Sequence, residues 1–239
     1  MMRMRMCLIG IIGICALCVV LAMGESSARG QSAATSSTPA ENTSVPPHLG
    51  AWPMWGGGPD RNMVSDERNL PAEWDIKTGK NVLWKAQLGS QTFGNPVVSG
   101  GKVFIGTNNG HPRNPAITGD KGVLMCFAQA DGTFVWQAIH DKLPAGDNQD
   151  WSDIGITSTP CVVGNRVYYV SNRDELVCAD TEGFRDGKND GPIVDEARTG
   201  ATDADFIWKL DMMAELGVTP LFASASAPLV VGDLVFVVT

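Results

Sequence analysis

Basic residues and histidine are scarce in this chain: 18 Lys and Arg stand against 26 Asp and Glu, and there are only three His in 239 residues. A protein with that balance is badly suited to grip nucleic acid by neutralising phosphates, so nucleic acid is not expected as a partner. Cysteine is sparse too, with six in all and three of them before residue 24, too few for a disulfide-built scaffold. No stretch carries a nucleophile elbow, a paired-His zinc helix or a Gly-rich phosphate loop. What is present, 44% hydrophobic residues with 27 Gly and 14 Pro, suits one large globular domain or two small ones.

The beginning of the chain reads as an address. Arg3 and Arg5 precede an uncharged apolar run from Cys7 to Met23, and Ala22 with Gly24 supply the small residues that signal peptidase requires, Ala28 with Gly30 offering a second site. Residues 1–24 are therefore expected to be a signal peptide and the protein to be exported, to the periplasm, the cell surface or beyond. The alternative is a retained anchor, since the run is near the lower limit for a spanning helix. Once the leader is cleaved no membrane span is expected. Cys126, Cys161 and Cys178 then remain, an odd number, so at least one thiol stays free or bonds to another chain. Residues 25–51, rich in Ser, Thr, Ala and Pro with almost no large apolar group, are expected to form a disordered linker, with order beginning at Trp52.

Beyond the linker the sequence repeats itself. With Pro96, Pro160 and Pro228 aligned, PVVSGGKVF, PCVVGNRVY and PLVVGDLVF match without a gap, at spacings of 64 and 68 residues. Each copy reads as a β-hairpin, because two short runs of Val and aromatic residues flank a pair led by Gly100, Gly164 or Gly232 that tolerates positive φ. Two more strands follow each hairpin: Cys126 and Cys178 stand in equivalent places ahead of an Asp-containing turn, and Trp136 and Trp208 lie on the strand after it. Trp84, in VLWKAQL, marks the matching strand of a preceding unit. The module is thus four antiparallel strands, a to d, with the Trp on d. Recurrence at one position makes Trp84, Trp136 and Trp208 candidates for packing between neighbouring units.

Four-stranded, Gly-turned modules with one Trp each signify β-propeller blades. The pieces ADGTFVW, CADTEG and PVVSGGKVFIGTNN resemble the blade motif of the quinoprotein-like propellers, the pyrroloquinoline quinone (PQQ) repeat family, and the opening WPMWGGGPDRNMVS looks like the start of such proteins. The resemblance covers residues 52–239 and implies an all-β partial propeller with about two and a half blades. Two departures stand out: the turn spacing is altered in the first copy, and residues 184–205 interrupt the second. A ring needs at least four blades, so the sequence reads as a truncated chain, with Val235 to Val238 as an unpaired strand edge.

Antiparallel order places the b-to-c and d-to-a connections on one face. By the resemblance, cofactor and substrate sit on that side near the axis, which makes Gln91, Asn95, His111, Asp150, Trp151, Asp153 and Thr157 the candidate ligand-binding residues. Trp151 and Phe222 would serve a carbohydrate-binding reading. His111 and His140 share the face and could meet there as metal ligands or bases, solvated loop histidines being the default reading. The insertion falls on the opposite side. It fails the EF-hand pattern because Lys188 takes a ligand place and position twelve is Ala197; a cluster of Asp186, Asn189, Asp190 and Asp195 is the remaining metal candidate beside a plain solvated acidic loop.

Quinoprotein catalysis, as the resemblance implies it, uses a calcium-bound quinone, an Asp base and in many members adjacent cysteines. No Cys-Cys pair occurs here, and no catalytic set is assigned. The leading expectation is an exported scaffold that binds an envelope protein or a small ligand. The alternative is a PQQ- and Ca²⁺-dependent oxidoreductase acting on an alcohol or sugar in a longer ring.

Overall fold

The computed structural model describes residues 18–22, 50–144, 150–220 and 223–239. Each proline-led segment forms the expected hairpin: β2 (Val97–Ser99) with β3 (Lys102–Asn108), β6 (Cys161–Val163) with β7 (Arg166–Val170), and β10 (Leu229–Val231) with β11 (Leu234–Val238). Their registers coincide residue for residue, with Val98 opposite Val103, Val162 opposite Val167 and Val230 opposite Val235. A shared turn type fixes that register.

Two sheets are completed by outer strands. β4 (Lys121–Ala128) and β5 (Phe134–Asp141) extend the first to the order β2-β3-β4-β5, while β8 (Glu175–Asp180) and β9 (Phe206–Asp211) extend the second to β6-β7-β8-β9. Cys126 pairs with Trp136 and Cys178 with Trp208, and both sheets shift register immediately after the cysteine. The short α1 (Met212–Leu216), capped by the Asp211 carboxylate, leads from the second sheet toward the third.

Strand alternation explains why the sheets stack. In the first sheet Phe104, Leu124, Cys126 and Trp136 face one way and pack on Val167, Tyr169, Val177 and Ala179 of the second. The next residues along, Ile105, Val123, Met125 and Phe127, face the other way, toward Ala86 and Leu88. In the second sheet Tyr168, Val170, Leu176 and Cys178 point onward to Val235 and Val237. Both faces are thus buried, so the strands read as near-continuous apolar runs rather than alternating ones. The first strands β2, β6 and β10 lie side by side at the inner rim, joined there by Trp52, which pairs with Val98, and by the Pro53 carbonyl, which accepts from Val162. The architecture is a partial β-propeller.

The indoles join neighbouring blades in a repeated way. Trp84 Nε1 donates to the Gln129 carbonyl at 2.7 Å, and Trp136 Nε1 donates to the Thr181 carbonyl at 2.9 Å, each 45 residues downstream. Each ring lies over a glycine of that next turn. A Cβ on Gly132 (φ 72°) would stand 2.6 Å from the Trp84 ring, and one on Gly183 (φ 57°) 3.0 Å from the Trp136 ring. Trp208 packs on Tyr168 with centroids 6.0 Å apart, as Trp136 does on Phe104 at 5.9 Å.

Three expectations are corrected. Val235 to Val238 is not an open edge, because β1 (Cys18–Ala22) pairs antiparallel with all of β11; an apolar extended run satisfies the row of backbone groups that β11 would otherwise leave open. The segment around Trp84 forms no strand and joins no sheet among the described residues. The insertion after the 3₁₀ turn Gly183–Asp186 is more than a solvated loop. Its returning limb runs parallel to β5, with Gln137 N donating to Thr202 O and Ala204 N to Gln137 O, both at 3.0 Å, before it enters β9. Apart from β1 and residues 50 and 51, the segments read as signal peptide and linker lie outside the described residues, as does Phe222.

Candidate binding face at the inner rim

Where the first strands begin, the connections leading into β2, β6 and β10 converge around a cavity of about 390 Å³. It is lined by residues in the same repeat phase, Phe93, Thr157 and Ala225 three places before the prolines and Asn95, Thr159 and Ala227 one place before them, together with Trp55 and Arg61 from the N-terminal segment. The connections are tied to one another. Asn95 N donates to Thr159 Oγ1 (3.0 Å), Thr157 Oγ1 to Ser224 O (2.9 Å) and Ser158 Oγ to Ser226 O (2.6 Å). Such cross-links hold loops on a rigid base, the arrangement that binding sites on propellers exploit.

Arg61 is the one charged residue among those lining the cavity. Its Nη2 donates to the Ala227 carbonyl at 2.9 Å, its guanidinium stands 5.5 Å from the centre of the Trp55 ring, and its buried Nε has no hydrogen-bond partner. An anion offered here would meet a preformed donor and two partly exposed aromatic edges, Trp55 and Phe93. A larger hollow, about 490 Å³, is lined by residues 50–67 alone and lacks this convergence of blades.

The residues singled out from sequence separate into two groups. Asn95 and Thr157 line the cavity. Asp150 and Asp153 instead hold the surrounding loops: the Asp150 carboxylate accepts from Lys142 Nζ, Leu143 N (3.1 Å) and Asn172 Nδ2 (2.9 Å), while Asp153 N donates to Asp120 Oδ2 (2.7 Å) and its carbonyl accepts from Asn108 Nδ2. Gln91 takes part through its carbonyl, which accepts from Thr107 Oγ1 at 2.7 Å. Trp151 exposes 54% of its surface, and its carbonyl accepts from Lys142 Nζ. His111 is exposed in the connection between β3 and β4.

His140 departs from its reading as a loop residue. It lies in β5, 4% exposed, inside the joint between the first two blades. Its Nδ1 lies 3.2 Å from Glu175 Oε2 and its Nε2 2.9 Å from Tyr169 Oη. Burial pushes the imidazole below its ordinary pKa, against the pull of Glu175, and pushes the Tyr169 hydroxyl well above its own. The neutral ring therefore donates through Nδ1–H to the carboxylate and accepts from the Tyr169 hydroxyl. Every polar atom of the ring is satisfied, which makes this a buried inter-blade joint.

The candidate metal residues are not gathered. Asp186 pairs with Lys188, Asn189 Nδ2 donates to Glu196 at 3.1 Å, and Asp190 N donates to Asp205 at 2.7 Å. Among the described residues no group of three or more His, Cys, Asp or Glu is placed to hold a metal ion. Cys126, Cys161 and Cys178 are buried free thiols, and burial raises the last two to about 11 and about 12, so neither is a nucleophile at neutral pH.

Arg61, Trp55, Phe93 and Thr159 line the cavity without having been candidates from sequence. The repeat alignment carried the signal for Phe93 and Thr159, since both fall in phase with the candidate residues. Nothing local marked Arg61 or Trp55, which reach the cavity only because the N-terminal segment follows the inner rim.

The fold and this face define a PQQ-repeat β-propeller. The profile of the family described as outer membrane protein assembly factor BamB matches residues 26–147, just over half of the chain, and the chain belongs to that family. A search of curated proteins found no match.

Proposed function

We propose that this chain is exported and acts as a binding scaffold in the cell envelope, with its ligand or partner docking over the inner-rim cavity. The observation that carries the reading is the convergence of three blade connections on a cavity whose single lining charge is Arg61. The chain as a whole has a net charge of −8, so this is a local cationic spot on an acidic molecule, and it suits a carboxylate presented by the partner. Export draws support from the leader-like composition of residues 1–24 and from the matched family, which is described as an outer-membrane assembly factor. No helix among the described residues is long and apolar enough to cross a membrane.

The oxidoreductase reading is supported less well. A quinone held with calcium needs carboxylate oxygens beside it, and none of the residues lining the cavity is an acid. No two cysteines adjoin to stack on a quinone ring. The residues present do not fit that pair.

The test is a photo-crosslinking residue in place of Phe93 in the full-length chain, in cells that export it, with the adduct recovered from the envelope fraction. A discrete adduct that Arg61→Glu abolishes is the expected result. Retention of the protein in the cytoplasm, or dye reduction with an alcohol that depends on added PQQ and Ca²⁺ and occurs without any adduct, would overturn the proposal.

A further inference from the structure

The third sheet sets two uses of one segment against each other. β1 (Cys18–Ala22) runs antiparallel to β11 (Leu234–Val238) over five residue pairs, from Cys18 opposite Val238 to Ala22 opposite Leu234. The same residues close the uncharged run from Cys7 to Met23, and Ala22 with Gly24 supply the small residues of the expected cleavage site. A segment paired in a sheet cannot at the same time enter a bilayer or lie extended in a peptidase, since each needs the backbone groups that the ladder has engaged.

The backbone of β11 is oriented for this pairing. Val238 N donates to Ser226 Oγ at 2.9 Å, on the β10 side, and Phe236 stands opposite Leu229 of β10. Backbone groups of successive residues point to alternate sides of a strand, so those of Val235 and Val237 face Leu21 and Val19. Cys18 and Val238 then form a pair without mutual backbone bonds, the kind whose Cα atoms approach to about 4.5 Å. No residue of either strand is charged, so no charge discourages the pairing. Synthesis adds an order of events: residues 18–22 are made long before residues 234–238, so the leader is free for the membrane until its partner strand exists.

We propose that β11 acts as a clasp on the leader: a chain that folds before export draws residues 18–22 into its third sheet and thereby withholds them from translocation and cleavage. Export and folding compete for one strand, and a chain that folds first stays unprocessed. This role depends on the export reading above, and adds to it that the folded domain itself controls whether the leader is available.

The experiment uses the full chain made without membranes. On oxidation, Val238→Cys should form a disulfide with the native Cys18, because paired strand positions of this kind lie within disulfide reach. Val194→Cys, exposed in the insertion, should give at least tenfold less link to Cys18 by peptide mapping. Signal peptidase in detergent micelles should cut the folded parent at least tenfold more slowly than Val237→Pro, which lacks the donor facing Val19 and keeps the β10 side. Val238→Lys, at an exposed edge position, serves the same comparison if Val237→Pro fails to fold. Residues 1–24 fused to a reporter that is active only outside the cytoplasm separate the two readings. A reporter that stays inside overturns the export reading and the clasp with it. With the reporter exported, absence of the Cys18 link, or equal cleavage of parent and variants, overturns the clasp alone.

Discussion

The Trp136 indole shows how one side chain sets the spacing of two blades. It fills the joint against Phe104 and donates to Thr181 O, so Trp136→Phe leaves a buried carbonyl without its donor and removes part of a fully buried ring. A loss of about 2–4 kcal/mol is expected, from the unmade hydrogen bond plus the partly filled space, read from denaturant midpoints. Gly183→Ala should cost about 1–3 kcal/mol for a related reason, since its backbone is left-handed and its new methyl group would press on that same indole. His140 makes the joint sensitive to acid. Its folded pKa lies below the 6.5 of the free side chain, so the unfolded chain takes up the proton first, and stability that is full above about pH 6.5 declines as pH falls below it. Glu175 adds a second loss of the same sign below its ordinary 4.5: although burial opposes this, hydrogen bonds from His140 and Ser171 hold its folded pKa below that value. Unfolding midpoints between about pH 7.5 and 5.5 should fall, and His140→Gln should flatten the profile over that interval. An unchanged slope in the variant would place the acid sensitivity elsewhere.

At the level of elements, the insertion has a role that its composition conceals. Its acidic, Gly-containing sequence gives no strand pattern, but its last residues add to the open side of β5 and so tie the second blade to the first. Ala204 is 3% exposed, and its N–H donates to the Gln137 carbonyl. Ala204→Pro removes that donor and should cost about 3 kcal/mol, more than the same substitution in an exposed part of the loop such as Thr199, as denaturant titration would show. The hairpins behave differently, because their register is carried by the turn. The equivalence of β2-β3, β6-β7 and β10-β11 persists despite different side chains at most positions.

For the whole molecule, stacking replaces a central core. The second sheet is packed between the first sheet on one face and Val235 and Val237 of the third on the other, so stability is distributed over successive joints and the outer side of the last sheet is its weak place. In the full chain β1 covers β11. A protein purified without residues 1–24 lacks that cover, and it should associate with concentration on size-exclusion chromatography while the full chain does so less. Equal behaviour of the two forms would mean that β1 contributes nothing to protecting the edge. Charge acts at this scale as well: an acidic molecule with one cationic cavity steers an acidic partner toward that cavity, so the Phe93 adduct should weaken as ionic strength rises.

The phase of the three proline-led segments determined the blades, their registers and the equivalence of Trp84, Trp136 and Trp208, because a period-2 strand around a glycine turn leaves a pattern within about ten neighbouring residues. Asn95 and Thr157 were named because antiparallel order and the family resemblance put the connections leading into β2 and β6 on the ligand side. The path of the N-terminal segment, which carries Arg61 and Trp55 to the rim, the sideways pairing of residues 202–204 with β5, and the burial of His140 beside Tyr169 and Glu175 were decided only in three dimensions. Each depends on contacts between residues far apart in the chain, and no local periodicity records which distant surface a loop or a side chain will meet.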